Sequence, residues 1–217
     1  VTGLFLAFTA ALLVGAAGPI LYVVWFRRGS LRDLGLRTDN WRSAAALALV
    51  FGGVQFTLTL WGVSLPANPE NWVPLLVMAL VVGVFESLFF RGFVQSRLEA
   101  QFGPRAGIAA AALLYGLYHV GYGMGLTEIR FLLGLGVVYA VAFATARNLL
   151  VLWPLLTPLG SFFANLQTGD IPLPWASILG FADVLVVIVV VIVLARRHEN
   201  RRAATGAPTR FATRRVT

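Results

Sequence analysis

The stretch Trp72–Val94, WVPLLVMALVVGVFESLFFRGFV, decides how this chain is read. It is apolar over more than the roughly 20 residues needed to cross the hydrocarbon core of a bilayer. Yet it carries one acid, Glu86, and one base, Arg91, five positions later. A charged side chain at that depth costs several kcal/mol unless something compensates it, so ionisable groups inside membranes are functional candidates by default. Glu86 is therefore the first candidate in the molecule.

Composition places the whole chain in the same setting. Hydrophobic residues make up 59% of the 217 positions, the mean hydropathy is +0.82 and only 12% of residues are charged. Ordinary soluble domains carry about 25% charged residues, and a water-soluble fold of this size has too few charges here to cover its surface. All 17 basic residues are arginine, and cysteine is absent. Disulfides, thiol nucleophiles and cysteine-based zinc sites are excluded. The net charge of +8 does not point to nucleic acid, because the arginines gather at helix ends and in the C-terminal tail.

Working outward, apolar runs near 3–26, 43–64, 72–95, 106–121, 130–146, 148–165 and 175–195 predict an all-α polytopic membrane bundle of about seven transmembrane helices. Residues 3–26 lack a basic n-region and a polar cleavage region, so they are expected to be a retained helix. Gly29–Arg42 interleaves Leu31, Leu34 and Leu36 with polar residues and is expected to lie at the interface. With seven spans, every arginine cluster outside the membrane falls on one side and Arg130 alone on the other. The positive-inside rule then predicts an external N-terminus and a cytoplasmic C-terminus in the cell membrane. Residues 1–195 are expected to form one membrane-embedded domain, and 196–217 a basic, disordered cytoplasmic tail lying against anionic lipids. No internal repeat of the kind that marks many transporters is evident.

Depth relates the polar residues to one another. At the α-helical rise of about 1.5 Å per residue, Glu86 sits roughly 16 Å from Arg97, His119 roughly 21 Å from Arg105, and Ser161 roughly 21 Å from Arg147. Asn165 follows Ser161 by one turn on the same helix face. A carboxylate, an imidazole and a carboxamide are thus expected at one level. Arg91, five residues beyond Glu86, falls roughly 140° around an α-helix, which predicts an anchor nearer the cytoplasmic surface rather than a stacked partner.

The chemistry that suits this set is peptide-bond hydrolysis. A desolvated carboxylate is a usable general base near neutral pH. His119 is suited to holding the same water and passing a proton to the leaving amine. Asn165, with Ser161, is suited to donating hydrogen bonds to a developing oxyanion. An HExxH zinc motif is absent, as are a GxSxG elbow and any lysine for a Ser-Lys pair, so no metal or other cofactor is expected. His198, in the basic tail, is expected to be a bystander.

Glu86-Ser87-Leu88-Phe89-Phe90-Arg91-Gly92 resembles the EExxxR motif of the CAAX protease and bacteriocin-processing (CPBP, or Abi) family. Tyr115-Gly116-Leu117-Tyr118-His119 is similar to its FxxxH motif with Tyr115 for Phe, and Ser161-Phe162-Phe163-Ala164-Asn165 to its HxxxN motif with Ser161 for His. The resemblance spans roughly residues 70–170 and includes the order of the motifs and the Asp33-Leu34-Gly35-Leu36 segment before the second span. It implies an intramembrane endopeptidase, with Glu86 as base, His119 as the partner that orients water and Asn165 as oxyanion donor. Arg91, Ser87, Tyr115 and Ser161 would support them. The family is often labelled a metalloprotease family; the residues here favour a glutamate acting without metal. The implied partner is a membrane-associated peptide or protein substrate. Because Ser87 and Ser161 stand where the motifs carry a second glutamate and a histidine, the alternative is a non-catalytic relative that binds a membrane peptide or partner in immunity or chaperoning. Proton-coupled transport through Glu86 and His119 ranks below both.

Overall fold

A computed structural model describes residues 2–60, 72–122, 124–152 and 177–205, and all regular structure among them is helical. Helix α1 spans Thr2–Leu21 and continues through a π-helical turn, Tyr22–Phe26. Helix α2 spans Trp41–Leu60. Helix α3 runs as an α-helix over Trp72–Glu86, as a π-helix over Ser87–Gln95 and again as an α-helix over Ser96–Phe102. Helix α4 covers Pro104–Tyr118 and closes in a 3-10 turn, His119–Tyr122. Helix α5 covers Leu126–Ala146 and α6 covers Ser177–Ala204. Three of these, over Val73–Phe102, Leu126–Ala146 and Ser177–Ala204, are long and apolar enough to cross a membrane; shorter apolar helices lie at Leu13–Phe26 and Trp41–Val54. The chain is an all-α helical membrane bundle.

The boundaries follow local chemistry. Helix α3 ends at Gly103, whose φ of +84° is costly for a residue with a Cβ. Pro104 then opens α4 at the first helical position, where its missing N–H loses no hydrogen bond. Between α1 and α2, Ser30 caps a 3-10 turn, Leu31–Leu34: its Oγ accepts from the Arg32 N–H, and the Ser30 N–H donates to Asp33 Oδ2 at 2.8 Å. This segment does more than rest at the interface. Leu31 and Leu34 are buried in the bundle core, and the Leu34 carbonyl lies where a Cβ on Gly92 of α3 would sit.

Lipid tails are as apolar as leucine, so helices associate in a membrane through close packing and hydrogen bonds rather than hydrophobic burial. Helix α4 packs against α5 and against the last turns of α3, while α1 and α3 pack against α6. At the α3–α4 contact, a Cβ on Gly107 would come within 2.6 Å of the Glu99 Cα, so only glycine permits that approach. The end of the bundle that carries most of the described arginines is stitched by hydrogen bonds. Leu149 N–H donates to Gly35 O at 2.9 Å, and Asn148 Nδ2 to Asn40 Oδ1 at 2.8 Å. Asn40 Nδ2 in turn donates to Ala146 O at 2.9 Å.

Two sequence expectations change here. Helix α6 continues to Ala204, so residues 196–204 are helical rather than disordered. Glu199 Oε1 accepts from the Leu31 N–H at 2.6 Å, Arg202 donates to Arg28 O at 3.0 Å, and His198 stacks on Trp25 with ring centroids 5.1 Å apart. Composition marked this segment as solvated, but its role is set by contacts with the distant 25–31 stretch. The sixth span was expected from residue 148, yet Leu149–Val151 is a 3-10 turn capped by Asn148, whose Oδ1 accepts from the Leu150 N–H. The rest of that expected span lies outside the described residues, as does the tail beyond residue 205.

Candidate active site

Glu86 is the last α-helical residue of α3 before the backbone opens into π geometry. It is only 7% exposed, at the meeting of α3 and α4. Short π segments are rare, and many occur at functional sites. Here the π-helix changes where Arg91 points. Its hydrogen bonds close from i to i+5 rather than i+4, so a residue five along returns toward the same side. The α-helical rotation expected from the sequence, which turned Arg91 away toward the headgroups, does not hold across this stretch.

Arg91 is 1% exposed, and its Cζ lies 4.9 Å from the centre of the Tyr115 ring. A desolvated guanidinium over an aromatic face gains about 2 kcal/mol or more. Its Nη1 and Nη2 have no hydrogen-bond partner among the described residues, and neither has the buried Ser87 Oγ.

Helix α4 supplies the other half. The Tyr115 hydroxyl donates to Glu86 Oε2 at 3.2 Å, and His119 Nε2 lies 3.9 Å from Glu86 Oε1. One turn of α4 separates Tyr115 from His119, so His119 Nδ1 meets the Tyr115 carbonyl at 2.8 Å. A carbonyl only accepts, so Nδ1 carries a proton in that contact. In the neutral ring the nitrogen facing Glu86, Nε2, is then the unprotonated acceptor. Phe90 and Tyr139 meet the Tyr115 ring edge-on at 5.4 and 6.2 Å, and His119 meets it at 4.8 Å, which fixes the ring's orientation.

Among the sequence-predicted site residues, the structure thus brings together Glu86, Arg91, Tyr115 and His119, with Ser87 buried beside Glu86 in the chain. Ser161 and Asn165 lie outside the described residues. A catalytic zinc typically takes three protein ligands. Glu86 and His119 offer two, and no group of three or more His, Cys, Asp or Glu side chains converges among the described residues. Among the described residues that donor set is one ligand short of such a centre.

Sequence reasoning missed a second buried polar cluster on the same helix. Gln95 Nε2 donates to Glu99 Oε1 at 2.7 Å and to Ala140 O at 2.8 Å, while Arg147 pairs with Glu99 Oε2 at 2.5 Å. The i, i+4, i+8 spacing of Arg91, Gln95 and Glu99 was the available signal, for it lines three polar side chains along one face. Arg147 read as a topology marker. In fact it ends α5 at φ +50° and pins α5 to α3.

A helical membrane bundle with a buried carboxylate facing an imidazole is the class that the fold and this geometry define. Residues 66–155 match the family model described as type II CAAX prenyl endopeptidase Rce1-like. The match bears out the resemblance read from the motifs: over these residues the chain is similar to the CAAX-protease family of membrane endopeptidases. It covers Glu86, Ser87, Arg91, Tyr115 and His119, and stops before Ser161 and Asn165. No curated protein and no solved structure matches the chain.

Proposed function

We propose that the protein is an intramembrane endopeptidase that hydrolyses a peptide bond with water activated by Glu86. The observation that carries this reading is the 3.9 Å separation of Glu86 Oε1 and His119 Nε2. Both are acceptors when the imidazole is neutral, and polar groups at such a distance are commonly bridged by water. A water donating one hydrogen to each has its oxygen lone pairs turned outward, toward an incoming carbonyl carbon. Attack forms the C–O bond while the water's proton passes to Glu86. The tetrahedral intermediate's oxyanion is received by Asn165, assisted by Ser161. Collapse breaks the C–N bond as a proton passes to the departing nitrogen from the Glu86–His119 pair.

The substrate is a membrane-associated peptide or protein that reaches the site from the arginine-rich end, which we assign to the cytoplasm. The basic residues beyond α6 would hold that end against anionic headgroups. The test is cleavage of a library of membrane-anchored peptides, in prenylated and unprenylated copies, by protein reconstituted into vesicles and read by mass spectrometry. General-base catalysis contributes about 10²–10⁴-fold, so Glu86→Gln is expected to lose at least that much while still eluting as a folded monodisperse protein. Cleavage that persists in Glu86→Gln overturns the mechanism. Wild-type protein that binds library peptides without cutting them identifies the non-catalytic relative instead.

A further inference from the structure

Tyr115 touches each of the three ionisable residues around it with a different part of itself. Its hydroxyl donates to Glu86 at 3.2 Å, its ring face lies 4.9 Å from the Arg91 guanidinium, and its carbonyl meets His119 Nδ1 at 2.8 Å. We infer that Tyr115 is the positioning residue of the site, whose phenol holds the Glu86 carboxylate in the orientation that presents Oε1 to His119. The inference rests on the peptidase reading for its catalytic consequence and on contacts alone for its structural one.

The geometry makes the division of labour specific. A carboxylate has two oxygens, and in this site they face different partners. Oε2 is engaged by the phenol, and Oε1 is left toward the imidazole. Without a donor on Oε2 the carboxylate is free to rotate about its last torsion, which is broad and roughly two-fold. The phenol removes that freedom. Its own position is set by the edge-on rings of Phe90 and Tyr139, so the constraint is built into packing rather than into a flexible contact. The carbonyl contact of the same residue fixes the tautomer of His119. One residue thereby sets the orientation of the base and the protonation pattern of its partner.

The motif this chain resembles usually places phenylalanine at the position of Tyr115, and phenylalanine retains the ring and the carbonyl but has no donor for Oε2. The hydroxyl is thus a feature of this chain. It adds a donor to a site in which Ser87 stands where the motif carries a second glutamate.

The experiment is Tyr115→Phe, which deletes one oxygen and keeps the ring contacts, so the fold is retained. Losing a hydrogen bond to a charged group corresponds to a fall of roughly 10- to 100-fold. That fall is expected in kcat with KM within twofold of wild type, because the buried phenol is engaged by Glu86 Oε2. In parallel, the infrared band of the Glu86 carboxyl group, identified by its disappearance in Glu86→Gln, is expected to shift in Tyr115→Phe. A merely structural role moves the melting temperature but not the band. Wild-type kcat in Tyr115→Phe, or an unmoved Glu86 band, overturns the inference. Wild-type protein that cleaves nothing overturns the peptidase reading, and the band shift then decides the Tyr115 contact by itself.

Discussion

Replacing Arg91 by methionine tests whether the guanidinium that the π-helix turns over the Tyr115 ring is coupled to Glu86. Both side chains are almost fully enclosed, at 1% and 7% exposure, so solvent screens their attraction very little. Breaking a contacting buried ion pair typically costs about 3–5 kcal/mol; Arg91 and Glu86 form no such contact, and the guanidinium lies instead over the Tyr115 ring, 4.9 Å from its centre. Arg91→Met is therefore expected to destabilise the bundle by about 2 kcal/mol, the worth of a desolvated cation over an aromatic face. For a chain of this size each kcal/mol moves the melting temperature by about 2–4 °C, giving a fall of roughly 4–8 °C. Methionine preserves length and apolar packing, which restricts the change to the charge and the ring contact with Tyr115. The assay is thermal unfolding in detergent of wild type, Arg91→Met, Glu86→Gln and the double variant. The double variant is expected to be more stable than the sum of the single effects requires, with a coupling of roughly 0.5–3 kcal/mol. Strict additivity would refute any coupling to Glu86 and leave Arg91 as a buried partner of the Tyr115 ring alone.

Further outcomes follow from other contacts. Gly92→Ala places a methyl group against the Leu34 carbonyl and 3.4 Å from Leu149 Cδ1; overpacking of this kind costs about 1–3 kcal/mol, to be read as a lower melting temperature, and an unchanged one would mean the 31–34 turn is not docked there. Arg147→Ala leaves the buried Glu99 with Gln95 as its remaining partner and is expected to destabilise by about 1–3 kcal/mol, measured by the same unfolding assay. Asp39 carries the sign of a pH effect outside the membrane. The hydrogen bond from Arg37, 2.6 Å from Nη2 to Oδ2, lowers its carboxyl to about 2. A folded value below the unfolded one near 3.9 contributes stability that is fully present above about pH 4. It is lost as the pH falls through about 2, so the difference between wild type and Asp39→Asn is expected to vanish over that window.

The sequence revealed more about depth than about rotation. Residue counting from the flanking arginines requires only the rise per residue, and the π segment over Ser87–Gln95 shortens the count by less than one helical turn. It therefore brought Glu86 level with His119 without any knowledge of packing. Rotation is less forgiving. A single π-helical stretch accumulates enough angle to carry Arg91 from one face to another, and nothing in Ser87–Gln95 announces it, since the segment contains no proline and its glycine serves the contact with Leu34. Tyr115 was legible as a motif position, but its bond to Glu86 depends on how α4 is turned against α3. Helical continuation to Ala204 was hidden for a different reason. Arginine-rich sequence usually signals solvation, and here Glu199 and Arg202 hydrogen-bond to backbone far away in the chain.

That last contact bears on how the protein is made. The Leu31 N–H is held by a side chain 168 residues downstream. At translation rates of about 5–20 residues per second, roughly 8–34 s separate the synthesis of the two partners. Throughout that interval the Leu31 N–H lacks the acceptor that α6 supplies, although the Ser30 cap of the same turn needs only its neighbours in sequence. Assembly of the Leu31–Leu34 turn is thus timed by α6, and a ribosome stalled before residue 199 holds a chain in which that turn is still unfinished.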